Sequence, residues 1–465
     1  MVYHKGMNSE PPQSTSLPNA DRPASVAGEP MCVGIVGAGV VGRAILAETL
    51  RRGINVLVMD VSEAAVRHAV ETAASTFPHV RHHDVASPMA GLVAVRLQSV
   101  SDPPSQPASW QPGVLIESIS ENLDLKRAFF AAAAEAFGLS CVLATNTSNL
   151  RVADIFADLP DHADSLGMHF FMPVGDRPLV EIIPRSTTSA GAIRRCADLA
   201  ARLGKRALVT ADSPGFVVNR MLAPYLNQSL LLLGRGAPAD LLGEAARAFG
   251  MPLSPLELID LIGIRTAFDS GRVFWRFFPK RIDPAPILSG MIKAKRLGTG
   301  FGGGFYDDAS CDEPLRDIAT GGSNRSPRPL HPVAAGVIEK YLRDETTWTR
   351  GDLAESIAIP MWIEAAAILA AGVVDSPEGI ETAMRGGLGY RGDSFFEFFD
   401  RLGSERIIHR IVSGQGQAAF ATPAGLLRCL RDRGGPSEAI GAYVAQQREA
   451  SERSIERHPL AGPSP

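Results

Sequence analysis

The sequence predicts an α/β chain: a doubly wound parallel sheet, followed by two all-α helical domains arranged as a tandem repeat. Three observations predict it. Short apolar runs alternate with helical runs between residues 31 and 212. Beyond residue 213 the strand signals fade and long apolar helices take over. Part of that helical sequence then occurs a second time.

The strand-like runs are VGIVG (33–37), NVLVMD (55–60), GVLIES (113–118), CVLATN (141–146), SLGMHFF (165–171) and ALVTAD (207–212). Most are apolar throughout, as strands buried on both faces must be. The helical runs are ILAETLRRG, SEAAVRHAVETAAS, LDLKRAFFAAAAEAFG and AGAIRRCADLAARLG, whose apolar residues recur with a period near 3.6. Strand–helix alternation of this kind builds a parallel sheet covered on both faces. The segment HVRHH, with His79, His82 and His83, reads as a surface loop.

In the helical part, 221–236 reads MLAPYLNQSLLLLGRG and 357–372 reads IAIPMWIEAAAILAAG. Pro224 and Gly236 recur as Pro360 and Gly372 at one offset, which points to duplication. FGMPLSPLELIDLIG (249–263) is echoed by GLGYRGDSFFEFFDRLG (387–403). The expected organisation is a disordered leader (1–30), an αβ domain (31–212) and a first helical domain (213–310). A linker (311–330), a second helical domain (331–450) and a flexible tail (451–465) follow.

Charge and composition exclude several functions. With 46 Lys+Arg against 50 Asp+Glu the net charge is −4, so no basic field for nucleic acid is present. The first 30 residues are polar and Pro/Ser-rich and carry no apolar signal-peptide core. The longest apolar runs are interrupted by Glu364, or by Asn227 and Gln228, so no membrane span is expected. The five cysteines, Cys32, Cys141, Cys196, Cys311 and Cys429, are scattered without a CxxC. Neither a disulfide framework nor a metal site is expected, and a reducing cytoplasm fits best.

Gly37-Ala38-Gly39-Val40-Val41-Gly42 is a G-x-G-x-x-G turn that follows a strand and opens a helix, while Asp60 closes the next strand. In this Rossmann-type context each position has a job. Gly37 permits the tight turn, Gly39 lets a pyrophosphate approach the backbone, and Gly42 lets helix and strand pack closely. The helix start supplies N–H groups and partial positive charge to the phosphates. The Asp60 carboxylate accepts from ribose hydroxyls and repels a 2′-phosphate, which favours NAD over NADP.

Polar residues cluster at the ends of the later strands: Glu117, Glu121 and Lys126; Thr145-Asn146-Thr147-Ser148-Asn149; Gly167-Met168-His169-Phe170-Phe171-Met172-Pro173; Glu181; and Ser213 to Arg220. Strand C-terminal ends are where open α/β sheets bind ligands. The motifs TNTSNL, GMHFF, LVEII, SPGFVVNR, MPLSPLELIDLIG and FGGGFYD, in this order over about 33–307, resemble the NAD-dependent L-3-hydroxyacyl-CoA dehydrogenase family. The doubled helical part looks like the dehydrogenase portion of the multifunctional fatty-acid β-oxidation subunit. It is also similar to stand-alone 3-hydroxybutyryl-CoA dehydrogenases.

The resemblance implies a 3-hydroxyacyl-CoA/3-ketoacyl-CoA oxidoreductase, with acyl-CoA as the partner substrate. His169 is then the catalytic base and Glu181 its orienting carboxylate. Ser148 and Asn219 contact the substrate oxygen. Gly37, Gly39, Val40, Val41, Gly42, Asp60, Glu121, Lys126 and Asn146 line the cofactor. Ser148 could equally cap the helix expected from Leu150. In single-copy relatives the helical domain forms a homodimer. A second copy implies an internal pseudo-dimer and leaves association of whole chains open.

Three departures stand out. Met172 occupies the position where the family's HFFNP has asparagine, so an amide donor and acceptor is lost. The helical hairpin that follows the second strand in the family, and that contacts CoA, is abbreviated to TFPHVRHHDVASPMAGLVAVRLQSV, without lysine. A carrier-protein-bound acyl group in a biosynthetic setting is therefore an alternative substrate. The second helical copy has Glu355 where the first has Asn219, so it is expected to be structural. An impaired NAD-binding scaffold is the remaining alternative; the joint presence of His169, Glu181, Ser148 and Asn219 weighs against it.

Overall fold

The computed structural model describes residues 32–99, 111–307, 328–343 and 346–457. The expected leader, most of the expected linker and the end of the expected tail lie outside these residues. The chain forms two compact units. One contains residues up to 146 with 152–168 and 182–207; the other contains 147–151, 169–181 and 208 onward.

The first unit starts with β1 (Cys32–Val36), α1 (Val40–Arg51), β2 (Asn55–Asp60) and α2 (Glu63–Thr76). It continues with β3 (Val80–Val85), β4 (Val93–Ser99), β5 (Val114–Glu117), α3 (Leu123–Phe137), β6 (Val142–Thr145) and α4 (Val152–Ile155). Then come β7 (Ser165–Phe170), β8 (Leu179–Pro184), α5 (Ala190–Arg202) and β9 (Arg206–Val209). The strands form one nine-stranded sheet in the order β3-β4-β2-β1-β5-β6-β7-β8-β9. β1 pairs in parallel with both β2 and β5, so the strand order reverses beside the glycine turn.

One expectation needs correction. HVRHH is not a loop: Val80–Val85 is a strand, paired antiparallel with β4, and β4 pairs antiparallel with β2. The sheet is therefore mixed. Apart from Val80 and the half-buried Val85, the residues of β3 are exposed, because the strand lies at the sheet edge. A polar edge strand carries no apolar alternation that would announce it. The LVEII run, to which the sequence reading assigned no element, forms β8, is fully buried and joins the sheet.

The helices of the second unit include α6 (Val218–Leu233), α7 (Ala239–Phe249), α8 (Pro255–Ile262), α9 (Ile264–Phe277) and α10 (Pro286–Lys293). These are followed by α11 (Pro332–Lys340), α12 (Arg350–Ala370), α13 (Pro377–Ala383) and a π-helical turn (Met384–Leu388). The unit ends with α14 (Phe395–Leu402), α15 (Ser404–Ser413), α16 (Leu426–Asp432) and α17 (Pro436–Arg457). The last helix thus runs past residue 450, into the stretch expected to fray.

The repeat is visible in geometry. Pro224 lies inside α6 and Pro360 inside α12, and Gly236 and Gly372 follow at positive φ. The helix pairs α8–α9 and α14–α15 turn one corner alike. Ser254 and Ser394 accept from the N–H groups of Glu257 and Glu397, and Gly263 and Gly403 join the pairs at φ 92° and 80°. Both copies contribute to one continuous apolar core. At its centre α12 packs on α6 and α7. By length and composition α12 could cross a membrane, but 89% of its apolar window is buried inside the protein. A helix that is apolar all round is what a core this deep requires.

Candidate active site

The glycine turn of the first unit is shaped by contacts that leave no room for side chains at two positions. Gly37 has φ 97°, and a Cβ there would meet the Ser118 carbonyl oxygen at 2.5 Å. A Cβ at Gly42 would lie 1.8 Å from the Gly37 oxygen. At Gly39 the reverse holds: a Cβ would meet nothing within 4 Å. Space therefore opens over the backbone where a pyrophosphate would approach. No side chain caps the start of α1, and Val40 is 67% exposed at that end, with Val41 half-buried behind it. Asp60 ties the turn to β2, accepting from Ala38 N–H at 2.7 Å and Ser62 N–H at 2.8 Å. This cradle fits the diphosphate and adenine ribose of NAD.

The strand ends beside it form a polar floor. Glu117 accepts from the Lys126 ammonium at 2.5 Å, from Ile119 N–H at 2.7 Å and from the Thr145 hydroxyl at 2.7 Å. Lys126 is 1% exposed and also faces Glu121 at 3.4 Å. Asn146 donates to the Ser118 hydroxyl at 3.0 Å. Lys126 is thus buried between two carboxylates, those of Glu117 and Glu121. Glu117 is the one charged residue of the otherwise apolar β5, which is the trace of this role in the sequence.

The second unit holds His169, Glu181, Ser148 and Asn219 together. His169 is 3% exposed and packs edge-on against Phe171, with Phe216 at 5.6 Å between ring centres. Its Nδ1 faces Glu181 Oε2 at 2.8 Å, and its Nε2 faces Ser148 Oγ at 3.0 Å. An ionised carboxylate only accepts, so the ring proton sits on Nδ1 and the Nε2 lone pair is left to act as a base. Asn219 donates to the Ser148 carbonyl oxygen at 3.4 Å. The Thr147 hydroxyl accepts from Leu150 N–H at 3.0 Å, in the turn that leads to α4. α4 itself begins at Val152.

Glu181 has a second set of partners. Its Oε1 accepts from the backbone N–H groups of Val217 and Val218, each at 3.0 Å. These are orphan donors at the start of α6, whose N-cap is Val217 and has no side-chain acceptor. The carboxylate of β8 caps that helix and meets its positive end. The missing Ser, Thr, Asp or Asn before an obvious helix was the sequence signal for this contact. Phe216 holds φ 46°, a left-handed conformation that places its buried ring beside His169.

Met172 is half-exposed, and its carbonyl oxygen accepts from Arg177 Nε at 3.4 Å. Burial lowers the pKa of the Arg177 guanidinium, with Asp176 acting in opposition. Deeper in the helical unit, burial pushes the Asp260 carboxyl up to about 6, while N–H donation from Tyr306 and Phe305 pulls the other way. Among the described residues no group of three or more His, Cys, Asp or Glu side chains could hold a metal ion.

Comparisons with known proteins follow the same division. Residues 32–213 match the NAD-binding domain of 3-hydroxyacyl-CoA dehydrogenase, and residues 215–308 match its C-terminal domain. In fold, the chain is similar to 3-hydroxybutyryl-CoA dehydrogenase from Escherichia coli K12, with TM-score 0.64 and 22% identity over 86% of this chain and 98% of that one. It is also similar to the dehydrogenase part of multifunctional enzyme 1 from C. elegans, with TM-score 0.55 and 20% identity over 88% and 92% of the two chains. FadB2 of M. tuberculosis matches at TM-score 0.50 and 27% identity, over 60% of this chain and 99% of its own.

Proposed function

Since the chain belongs to the 3-hydroxyacyl-CoA dehydrogenase family and is an NAD-dependent oxidoreductase, we propose that it interconverts a 3-hydroxyacyl-CoA of S configuration and its 3-ketoacyl-CoA through the His169–Glu181 pair. The observation that carries this reading is the tautomer-fixing contact between His169 Nδ1 and Glu181, with Ser148 on the other ring nitrogen.

Oxidation removes two hydrogens from the substrate's C3–OH group: a hydride from carbon and a proton from oxygen. The glycine turn and Asp60 would hold NAD, whose nicotinamide would supply the hydride acceptor. His169 Nε2 takes the proton, and Glu181 balances the imidazolium that forms. The Ser148 hydroxyl, held beside Nε2, hydrogen-bonds the substrate oxygen as the carbonyl develops. Asn219, fixed to the Ser148 backbone, sets the same pocket wall. In reduction His169 returns the proton to the nascent alkoxide.

The test is NADH consumption with acetoacetyl-CoA, using His169→Gln as control. Loss of turnover in the control supports the reading; an inactive wild type with acyl-CoA of every chain length sinks it. The antiparallel β3–β4 hairpin, which stands where the family resemblance implies a CoA-contacting helical hairpin, favours one further arm. Turnover of a carrier-protein-bound ketoacyl group, with acyl-CoA inert, would move the substrate to that carrier.

A further inference from the structure

The turn that feeds Glu181 is held from the second helical copy. Arg220, one residue after Asn219, is buried to 2% exposure. Its Nη1 donates to the Ser213 hydroxyl at 3.2 Å, and its backbone N–H donates to the Gly215 oxygen at 3.2 Å. Those two bonds close the turn 213–218, which carries Phe216 to His169 and the Val217 and Val218 N–H groups to Glu181. The guanidinium in turn rests on Glu364 of α12, with Nε at 2.7 Å and Nη2 at 2.6 Å. Arg281 grips the same carboxylate at 2.9 Å, and both arginines lie over the Phe278 ring.

We propose that Glu364 is a positioning residue for the active-site turn, so that the second helical copy completes the catalytic site of the first. The proposal rests on the roles given above to His169 and Glu181. Two further observations support it. The repeat offset that pairs Pro224 with Pro360 pairs Arg220 with Ser356 and Glu364 with Gln228. A contact that served only to hold two copies together would be expected twice under pseudo-twofold symmetry. The charged version exists only where it meets the turn; Gln228 bonds Gln417 instead. The π-helical turn of the second copy also reaches the same place. A Cβ on Gly387 would lie 2.5 Å from Val218 Cγ2, and one on Gly386 would lie 2.8 Å from Leu179 Cβ, two residues before Glu181.

A buried arginine that loses its carboxylate is an uncompensated charge, and it relaxes by pulling away from the turn. The same helix provides a matched control. Glu355 is also largely buried and also holds two arginines, Arg406 and Arg410, but none of these contacts touches the turn. Glu364→Gln and Glu355→Gln are compared in the full-length protein by kcat and KM with acetoacetyl-CoA and NADH. Hydrogen exchange of the 213–222 peptide is measured alongside. Glu364→Gln is expected to lower kcat about tenfold or more with KM for NADH unchanged, because small misplacements of reacting groups are costly. It should also speed exchange in that peptide, whereas Glu355→Gln does neither.

Equal losses in both variants, or unchanged kcat and exchange in Glu364→Gln, overturn the proposal. If Glu364→Gln does not fold, Ser213→Ala cuts the same chain one bond later, and unchanged kcat and exchange there overturn it too. A wild type inert with every acyl substrate defeats the functional reading alone. Faster exchange confined to Glu364→Gln would then still support the positioning role.

Discussion

One oxygen of Glu181 accepts from His169 Nδ1 at 2.8 Å, while the other accepts two N–H groups from the start of α6. The Glu181 carboxylate is thus also a helix cap, and His169 is registered to the start of α6 through it. Glu181→Gln keeps the shape but can present an amide N–H to Nδ1 or to the helix start. The imidazole then loses its fixed tautomer and its countercharge. We expect kcat to fall about 100-fold or more, within the usual contribution of general acid–base catalysis, and steady-state kinetics at saturating NADH measures it.

Asp60 binds the glycine turn through Ala38 N–H, and it has the carboxylate needed for ribose hydroxyls. Asp60→Ala removes a charged acceptor from both. KM for NADH should rise about ten- to a hundredfold, the range of one or two charge-assisted hydrogen bonds, and selectivity against NADPH should shrink. Wild-type preference for NADPH would defeat the ribose role.

Gly387 has no space for a side chain: its Cβ would stand 2.5 Å from Val218 Cγ2. Gly387→Ala must push either the π-helical turn or the start of α6. A loss of about 1–3 kcal/mol is expected from overpacking, read by thermal or urea unfolding. Gly336→Ala, inside α11 where a Cβ meets nothing within 4 Å, is the control that should lose no stability and gain about 0.5–1 kcal/mol from helix propensity.

Asp260 gives a pH signature. Its carboxyl is raised from an ordinary 3.8 to about 6 by burial. The folded chain therefore retains a proton that the unfolded chain has already released. Across about pH 4 to 6 the folded state binds more protons, so this group's contribution to stability falls as pH rises, by on the order of 2–3 kcal/mol in all. Asp260→Asn should remove that slope. The stability difference between wild type and variant, from urea midpoints across this range, checks it; a constant difference contradicts it.

The cofactor turn was legible in the sequence as a local motif, whereas His169, Glu181, Ser148 and Asn219, far apart in sequence, stood out through the family resemblance, and the fold brings them together. Gly37, Gly39 and Gly42 announce a backbone constraint, and Asp60 follows at the end of the next strand. His169 and Ser148 sit at the ends of apolar strands, where polar residues have few structural reasons to be. β3 was not legible, because an edge strand with exposed Arg81, His82, His83 and Asp84 has no apolar face to keep a period. Glu364 was seen only as an interruption in an apolar run. Its meaning depends on the docking of α12 against α6, which no spacing within either helix encodes. Val217 and Val218 contribute backbone groups, so the sequence showed only an uncapped helix start and not which acceptor fills it.

The single apolar core shared by both helical copies has a further consequence, set by mass action. A support supplied by a separate subunit is lost on dilution, in proportion to its dissociation constant. Here α12 and α6 belong to one chain and one continuous apolar core, so their contact is intramolecular and does not weaken on dilution. The Arg220–Glu364 contact therefore keeps its occupancy however scarce the protein becomes, and specific activity need not depend on enzyme concentration through it. A contact made within one chain forms with the fold and needs no second subunit.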